Sequence, residues 1–90
     1  MKSNKSYEVN IRPKAKKSLE KITTVDRVRI QAAIELLSRN PHPPASRQLS
    51  NSDYFRVRIG DSRILYEVYE SKLIILIIDI GHRRLIYQDI

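Results

Sequence analysis

The chain contains no cysteine, so no disulfide holds it together and no thiolate metal site is possible. That composition fits a reducing cytoplasm. Histidine and glycine are scarce, with two of each. No spacing of His, Asp and Glu reads as a metal-ligand set, and Gly60 and Gly81 form no phosphate-cradling loop. No nucleophile stands in the sequence context of a known covalent hydrolase, and no cofactor is expected. The longest apolar run, Leu73 to Ile78, is far too short to cross a bilayer. Residues 1–6 have no apolar stretch behind them and do not read as a signal peptide.

What is present is positive charge. The 90 residues carry a net charge of +7, which points to a polyanionic partner. Residues 1–50 hold eleven Lys/Arg against four Asp/Glu, and residues 51–90 hold six against six. The excess therefore lies wholly in the first half. Five of the six basic residues in the neutral second half are arginine, the side chain suited to bidentate phosphate contact and one that stays protonated when partly buried. The length is that of one domain, residues 1–90, with one modest core.

Along the chain, Tyr7 to Arg12 alternates, with Tyr7, Val9 and Ile11 on one side, as in a half-buried strand. Pro13 suits the first turn of a short basic helix of about ten residues, in which Lys14, Lys17 and Lys21 point outward. Thr23 and Thr24 break that helix and offer an N-cap to a second, with Asp26 in its first turn. The second helix runs to about Arg39, with Val25, Ile30, Ala33, Ile34 and Leu37 on its inner face. So tight a connection predicts an antiparallel helical hairpin. Asn40 to Asp53, with three prolines and small polar residues, reads as a loop anchored by Leu49. His42 in that loop has no partner nearby in sequence and reads as a bystander. The six aliphatics from Leu73 to Ile78 imply a strand buried on both faces, and so centrally placed in the sheet. The order β-α-α-β-β-β gives an α+β domain, with the helical hairpin on one face of a mainly antiparallel sheet.

The most informative stretch runs from Tyr54 to Val68. Gly60, Asp61 and Ser62 supply turn chemistry between two runs rich in aromatic and β-branched residues, a β-hairpin pattern. Tyr54, Arg56 and Arg58 point one way and Phe55, Val57 and Ile59 the other. In the second strand Ile64, Tyr66 and Val68 share one face, with Arg63, Leu65, Glu67 and Tyr69 opposite. An even loop joins the apolar faces and sets Arg63 beside Arg56 and Arg58. An odd loop would drive a charge into the core, which is expensive. The expected outcome is the even loop and a shared face of three guanidinium groups. Each side chain also has an ordinary role open to it: Arg56 and Arg58 as solvated strand residues, Arg63 in a pair with Asp61 or Glu67, Tyr87 as a core or edge aromatic.

The segment Tyr54-Phe55-Arg56-Val57-Arg58-Ile59-Gly60-Asp61-Ser62-Arg63-Ile64-Leu65-Tyr66, the ending Gly81-His82-Arg83-Arg84-Leu85-Ile86-Tyr87 and the element order together resemble the RelE/ParE toxin superfamily, in particular its RelE branch. The resemblance covers nearly the whole chain. It implies a toxin of a type II toxin–antitoxin pair that enters the ribosomal A site and cuts mRNA by metal-independent attack of a 2′-hydroxyl. By that resemblance Arg63 matches the arginine that holds the scissile phosphate, Arg83 the arginine near the leaving oxygen, and Tyr87 the tyrosine that stacks on a base. Arg56 and Arg58 stand where the best-studied relatives carry lysines. Arginine does not give up its proton as a lysine can, so these two fit electrostatic stabilisation better than proton abstraction. His82 has the ordinary pKa range for an acid or base; Glu67 and Tyr87 are weaker candidates.

The implied partners are the ribosome with its mRNA and a cognate, RelB-like antitoxin with an acidic segment; no membrane is implied. Two other functions remain open at the level of sequence. One is a ParE-type toxin that poisons DNA gyrase. The other is a catalytically inactive member that binds RNA or antitoxin.

Overall fold

The computed structural model describes residues 6–50 and 52–82. Its elements are β1 (Glu8–Ile11), α1 (Pro13–Lys21), α2 (Thr24–Arg39), β2 (Ser46–Gln48), β3 (Tyr54–Ile59), β4 (Ser62–Tyr69) and β5 (Ile74–His82). They form a five-stranded sheet in the order β1-β5-β4-β3-β2. The β2–β3, β3–β4 and β4–β5 pairs are antiparallel, and β1 pairs with β5 in parallel. This is the expected α+β architecture with one addition. Ser46 to Gln48, expected within a loop, form an edge strand whose Arg47 lies opposite Arg56. Three residues without β-branching carry no strand signal of their own. They pair because β3 would otherwise present an open row of backbone donors and acceptors.

The helical hairpin forms for the reasons its sequence suggests, and one side chain ties it together. Pro13 opens α1, and Thr23 caps α2, its Oγ1 accepting from the Asp26 N–H at 3.3 Å. Arg27, from the second turn of α2, donates to the carbonyls of Leu19, Glu20 and Ile22 at 3.1–3.2 Å. Those carbonyls belong to the last turn of α1 and its C-cap Ile22, where acceptors are short of internal partners, that of Leu19 taking only the Ile22 N–H at 3.3 Å besides, and where positive charge is favoured. Ile30, Ile34 and Leu37 are buried as expected. Val25 is not: it is 62 % exposed, because it lies in the first turn of α2, on the far side from the sheet. Val28 and Leu36 are likewise exposed.

The core lies between this hairpin and one face of the sheet. Ala15, Ile30, Ile34 and Leu37 meet Val57, Ile64, Tyr66, Ile75, Ile77 and Ile80. Tyr66 is fully buried with its hydroxyl donating to the Pro41 carbonyl at 2.7 Å, and its ring stacks on Phe55 at 5.8 Å. That bond fastens the segment after α2 to the centre of the sheet, and burial raises the Tyr66 pKa above the ordinary phenol value. The β4–β5 ladder shifts register between Leu65 and Tyr66, where Ile78 is the extra residue. The bulge restores the inward direction to Ile80 after Ile77. Among the described residues no helix is long and apolar enough to cross a membrane.

His42, expected to be a bystander, is part of a surface clasp. Its Nε2 lies 2.8 Å from Glu70 Oε2, and its ring meets Phe55 edge-on at 4.8 Å. Tyr7 donates to the other carboxylate oxygen of Glu70 at 2.7 Å. The hydrogen bonds from His42 and Tyr7 hold Glu70 below the usual carboxylate range, and the bond to Glu70 raises the Tyr7 pKa. The partners are 28 and 63 residues apart in the chain, so no local pattern exposes them.

Candidate active site

The site begins at the β3–β4 turn. Ile59 pairs with Ser62, leaving Gly60 and Asp61 as a two-residue loop. Gly60 has φ +59°, and Asp61 is not among the positive-φ residues, the pattern of a type II′ turn, in which glycine occupies the first central position. A Cβ there would meet Arg29 Nη1 of α2 at 3.7 Å. The loop is therefore even, and its register places Arg58 directly opposite Arg63 and Arg56 opposite Leu65.

Because side chains alternate along a strand, Arg56, Arg58 and Arg63 share the face turned away from the helices. They line one open cleft of about 340 Å³ together with Ala45 and Arg47. Arg63 is only 6 % exposed, Arg56 is half-buried and Arg58 exposed. On its other side Arg63 lies opposite Gly81 of β5. Among the described residues nothing lies within 4 Å of a Cβ added at Gly81.

Arg47 is the residue that sequence reasoning missed. It arrives through the edge strand β2, opposite Arg56. Nothing in the pattern of residues 40–53 marks it, since its position depends on a pairing nine residues away across a loop. The cleft is thus built from two rows of directly opposed arginines, Arg58 with Arg63 and Arg47 with Arg56. Like charges directly opposite on a sheet oppose folding. Among the described residues that line the cleft there is no carboxylate. Such a wall binds anions, and the planar guanidinium groups suit phosphate oxygens.

The remaining candidates fall as follows. His82 is the last residue of β5, paired through its backbone with Ser62 and one position beyond Gly81. Arg83 and Tyr87 lie outside the described residues. Glu67 is on the arginine face of β4 but four residues from Arg63, about 13 Å along the strand. It lines a different cleft, of about 320 Å³, with His42, Tyr69 and Glu70. Its Oε1 accepts from the Tyr69 hydroxyl at 2.9 Å, which raises the Tyr69 pKa. Glu67 is thus remote from Arg63, but across the β3–β4 ladder it is the diagonal neighbour of Arg56 on the same face. Among the described residues no three His, Cys, Asp or Glu side chains gather as a metal-binding group.

Comparison with known proteins follows the same lines. The family model for the ParE toxin of type II toxin–antitoxin systems (parDE) matches residues 9–87. The curated RelE4 protein of Methanocaldococcus jannaschii is 29 % identical over 86 residues, covering 91 % of this chain and 92 % of the relative. The fold is that of the RelE–RelB complex from Pyrococcus horikoshii, with a TM-score of 0.79, 25 % identity, and coverage of 87 % of this chain and 96 % of that one. The RelBE2 toxin–antitoxin complex of Mycobacterium tuberculosis gives the same TM-score at 23 % identity, over 90 % of this chain and 98 % of that one. The chain belongs to the ParE toxin family of type II toxin–antitoxin systems, within the RelE/ParE superfamily.

Proposed function

We propose that the protein is a ribosome-dependent mRNA endoribonuclease, inhibiting translation by cutting the message in the A site. The observation that carries this reading is the wall of opposed arginines in one cleft. The planar guanidinium groups gathered there match the oxygens of a phosphodiester.

In the proposed reaction the 2′-oxygen of a nucleotide attacks its own 3′-phosphate. The 2′-hydroxyl proton is lost, the bond to the 5′-oxygen of the next nucleotide breaks, and that oxygen takes up a proton. A 2′,3′-cyclic phosphate is left behind. Arg63 holds the scissile phosphate, and Arg56 and Arg58 stabilise the charge that develops on the 2′-oxygen and on the dianionic phosphorane. Guanidinium groups bring charge and orientation rather than a base, so proton transfer is assigned to His82. Arg83 is assigned to the leaving oxygen and Tyr87 to stacking on a base. The proposed partner that silences the toxin is a RelB-like antitoxin, with an acidic segment over the basic face in a salt-sensitive complex.

The test is cleavage of mRNA on programmed ribosomes, with free RNA as the control. Arg63→Ala and Arg83→Ala are each expected to abolish cutting while the fold persists; full activity in both overturns the assignment. The family model names ParE, which favours a second reading, a gyrase-poisoning toxin. A DNA-damage response on expression, with translation intact, would establish that reading instead.

A further inference from the structure

We propose that the Lys14–Asp79 ion pair positions the end of β5 that reaches the site. Neither residue touches the substrate; together they hold Gly81 and His82 in register beside Arg63 and Ser62. The inference rests on the nuclease reading above and goes beyond it, because it assigns residues that act on the reaction through others.

Asp79 is out of keeping with its surroundings. It interrupts the aliphatic run of β5, in a kind of element that disfavours aspartate, and it is only 7 % exposed. Burying a carboxylate is costly unless it is paired and hydrogen-bonded. Both conditions are met here: Oδ1 accepts from the Ile80 N–H at 2.9 Å, and Oδ2 lies 3.4 Å from Lys14 Nζ. Lys14 is equally unexpected in its own element. It stands in the first turn of α1, where the helix dipole opposes a cation, and that turn has neither an acidic residue nor a side-chain N-cap. Asp79 brings the missing negative charge from β5.

The pair lies where β5 loses support. β1 pairs with β5 only as far as Ile11 opposite Ile77, and the Arg12 N–H then donates to the Ile77 carbonyl at 3.0 Å. Among the described residues, Ile78 to His82 pair with no strand but β4. The bulge at Ile78 interrupts even that ladder immediately before Asp79. Past it, Asp79 stands opposite Leu65, Gly81 opposite Arg63 and His82 opposite Ser62. The Asp79 carboxylate joins its own strand at Ile80 to the helix at Lys14, and so replaces the support that β1 no longer gives. The strand end it steadies carries His82, assigned above to proton transfer, and runs beside Arg63, assigned to the scissile phosphate. A misplacement of about 1 Å in such a constellation can cost roughly a hundredfold in rate.

The experiment compares Asp79→Asn, Lys14→Met, Lys14→Arg and the double variant Asp79→Asn/Lys14→Met with the parent. Cleavage on programmed ribosomes gives the maximal rate and the half-saturating toxin concentration, and amide hydrogen exchange on the free protein gives local opening. Asp79→Asn and Lys14→Met are each expected to lower the maximal rate about tenfold or more and to leave the half-saturating concentration unchanged. Exchange should rise at Ile80 to His82 and stay at the parent level at Ile75 and Ile77. Lys14→Arg keeps the pair and recovers the rate. The double variant falls no further than the worse single one, as residues that act as a unit do. Should Asp79→Asn fail to fold, Lys14→Met decides alone, since that side chain is 64 % exposed. The inference is overturned if exchange at Ile80 to His82 does not move. It is also overturned if Lys14→Met raises the half-saturating concentration and leaves the maximal rate intact, which makes Lys14 a contact to nucleic acid. Parental cutting by both single variants of an active parent defeats this inference alone. A parent that cuts nothing on programmed ribosomes defeats the nuclease reading and this one with it.

Discussion

Arg58→Gln should make the protein more stable while disabling it. Arg58 is exposed and lies directly across the β3–β4 ladder from the buried Arg63. Like charges at directly opposite sheet positions destabilise by roughly 0.2–1 kcal/mol, and about 0.7 kcal/mol is the working figure. Glutamine keeps the first part of the side-chain stem and removes the charge. For a domain of this length a gain of about 0.7 kcal/mol raises Tm by about 3–6 °C. The assay is thermal and urea unfolding at low salt, repeated at 1 M NaCl, where the screening length falls to about 3 Å and the gain should largely vanish. Cleavage on programmed ribosomes, measured in parallel, should fall at least tenfold under the proposed function. The stability arm stands on the register alone. If Arg58→Gln lowers Tm at low salt, or if the gain is indifferent to salt, Arg58 and Arg63 do not oppose each other energetically and the charge argument for the cleft is wrong.

Tyr66→Phe removes the buried hydroxyl that donates to the Pro41 carbonyl and leaves that acceptor without its partner. A loss of about 1–3 kcal/mol is expected in urea unfolding, and an unchanged midpoint would show that the bond contributes nothing. Arg27→Ala strips three donated bonds from the end of α1 and should cost about 1–2 kcal/mol, with Arg27→Lys recovering little because an ammonium lacks the planar fork. An Arg27→Lys variant as stable as the parent would count against the fork. Glu70 is held below the usual carboxylate range by His42 and Tyr7, so its folded state favours the ionised form. Its contribution to stability is present above the ordinary glutamate pKa and is lost as pH falls through the lower folded value. Glu70→Gln should therefore flatten the acid limb of a Tm–pH curve, and an unaltered limb would remove the clasp from the account.

The hairpin was legible because its alternation and its turn constrain each other. Phe55, Val57 and Ile59 have to face the same way as Ile64, Tyr66 and Val68, and only an even loop achieves that without burying charge. The helices were legible from Pro13, Thr23 and their apolar spacing. The aliphatic run after Leu73 marked β5 as an inner strand, although β4 holds the middle of the sheet. Val25 misled because it is apolar, whereas at the helical period it lies well round the helix from Ile30, Ile34 and Leu37. Arg47 and the His42–Glu70–Tyr7 clasp were hidden because each depends on partners distant in the chain.

The sequence by itself therefore determined the element order, the even hairpin, and the single face shared by Arg56, Arg58 and Arg63, because alternation and turn geometry act over a few residues. Tertiary structure decided the rest. It added β2 to the edge of the sheet and so completed the cleft with Arg47. It also buried Arg63 opposite Gly81 of β5. These are properties of strand pairing between separated segments, where the free energy comes from satisfying an open edge and covering a face, and no local residue pattern encodes either.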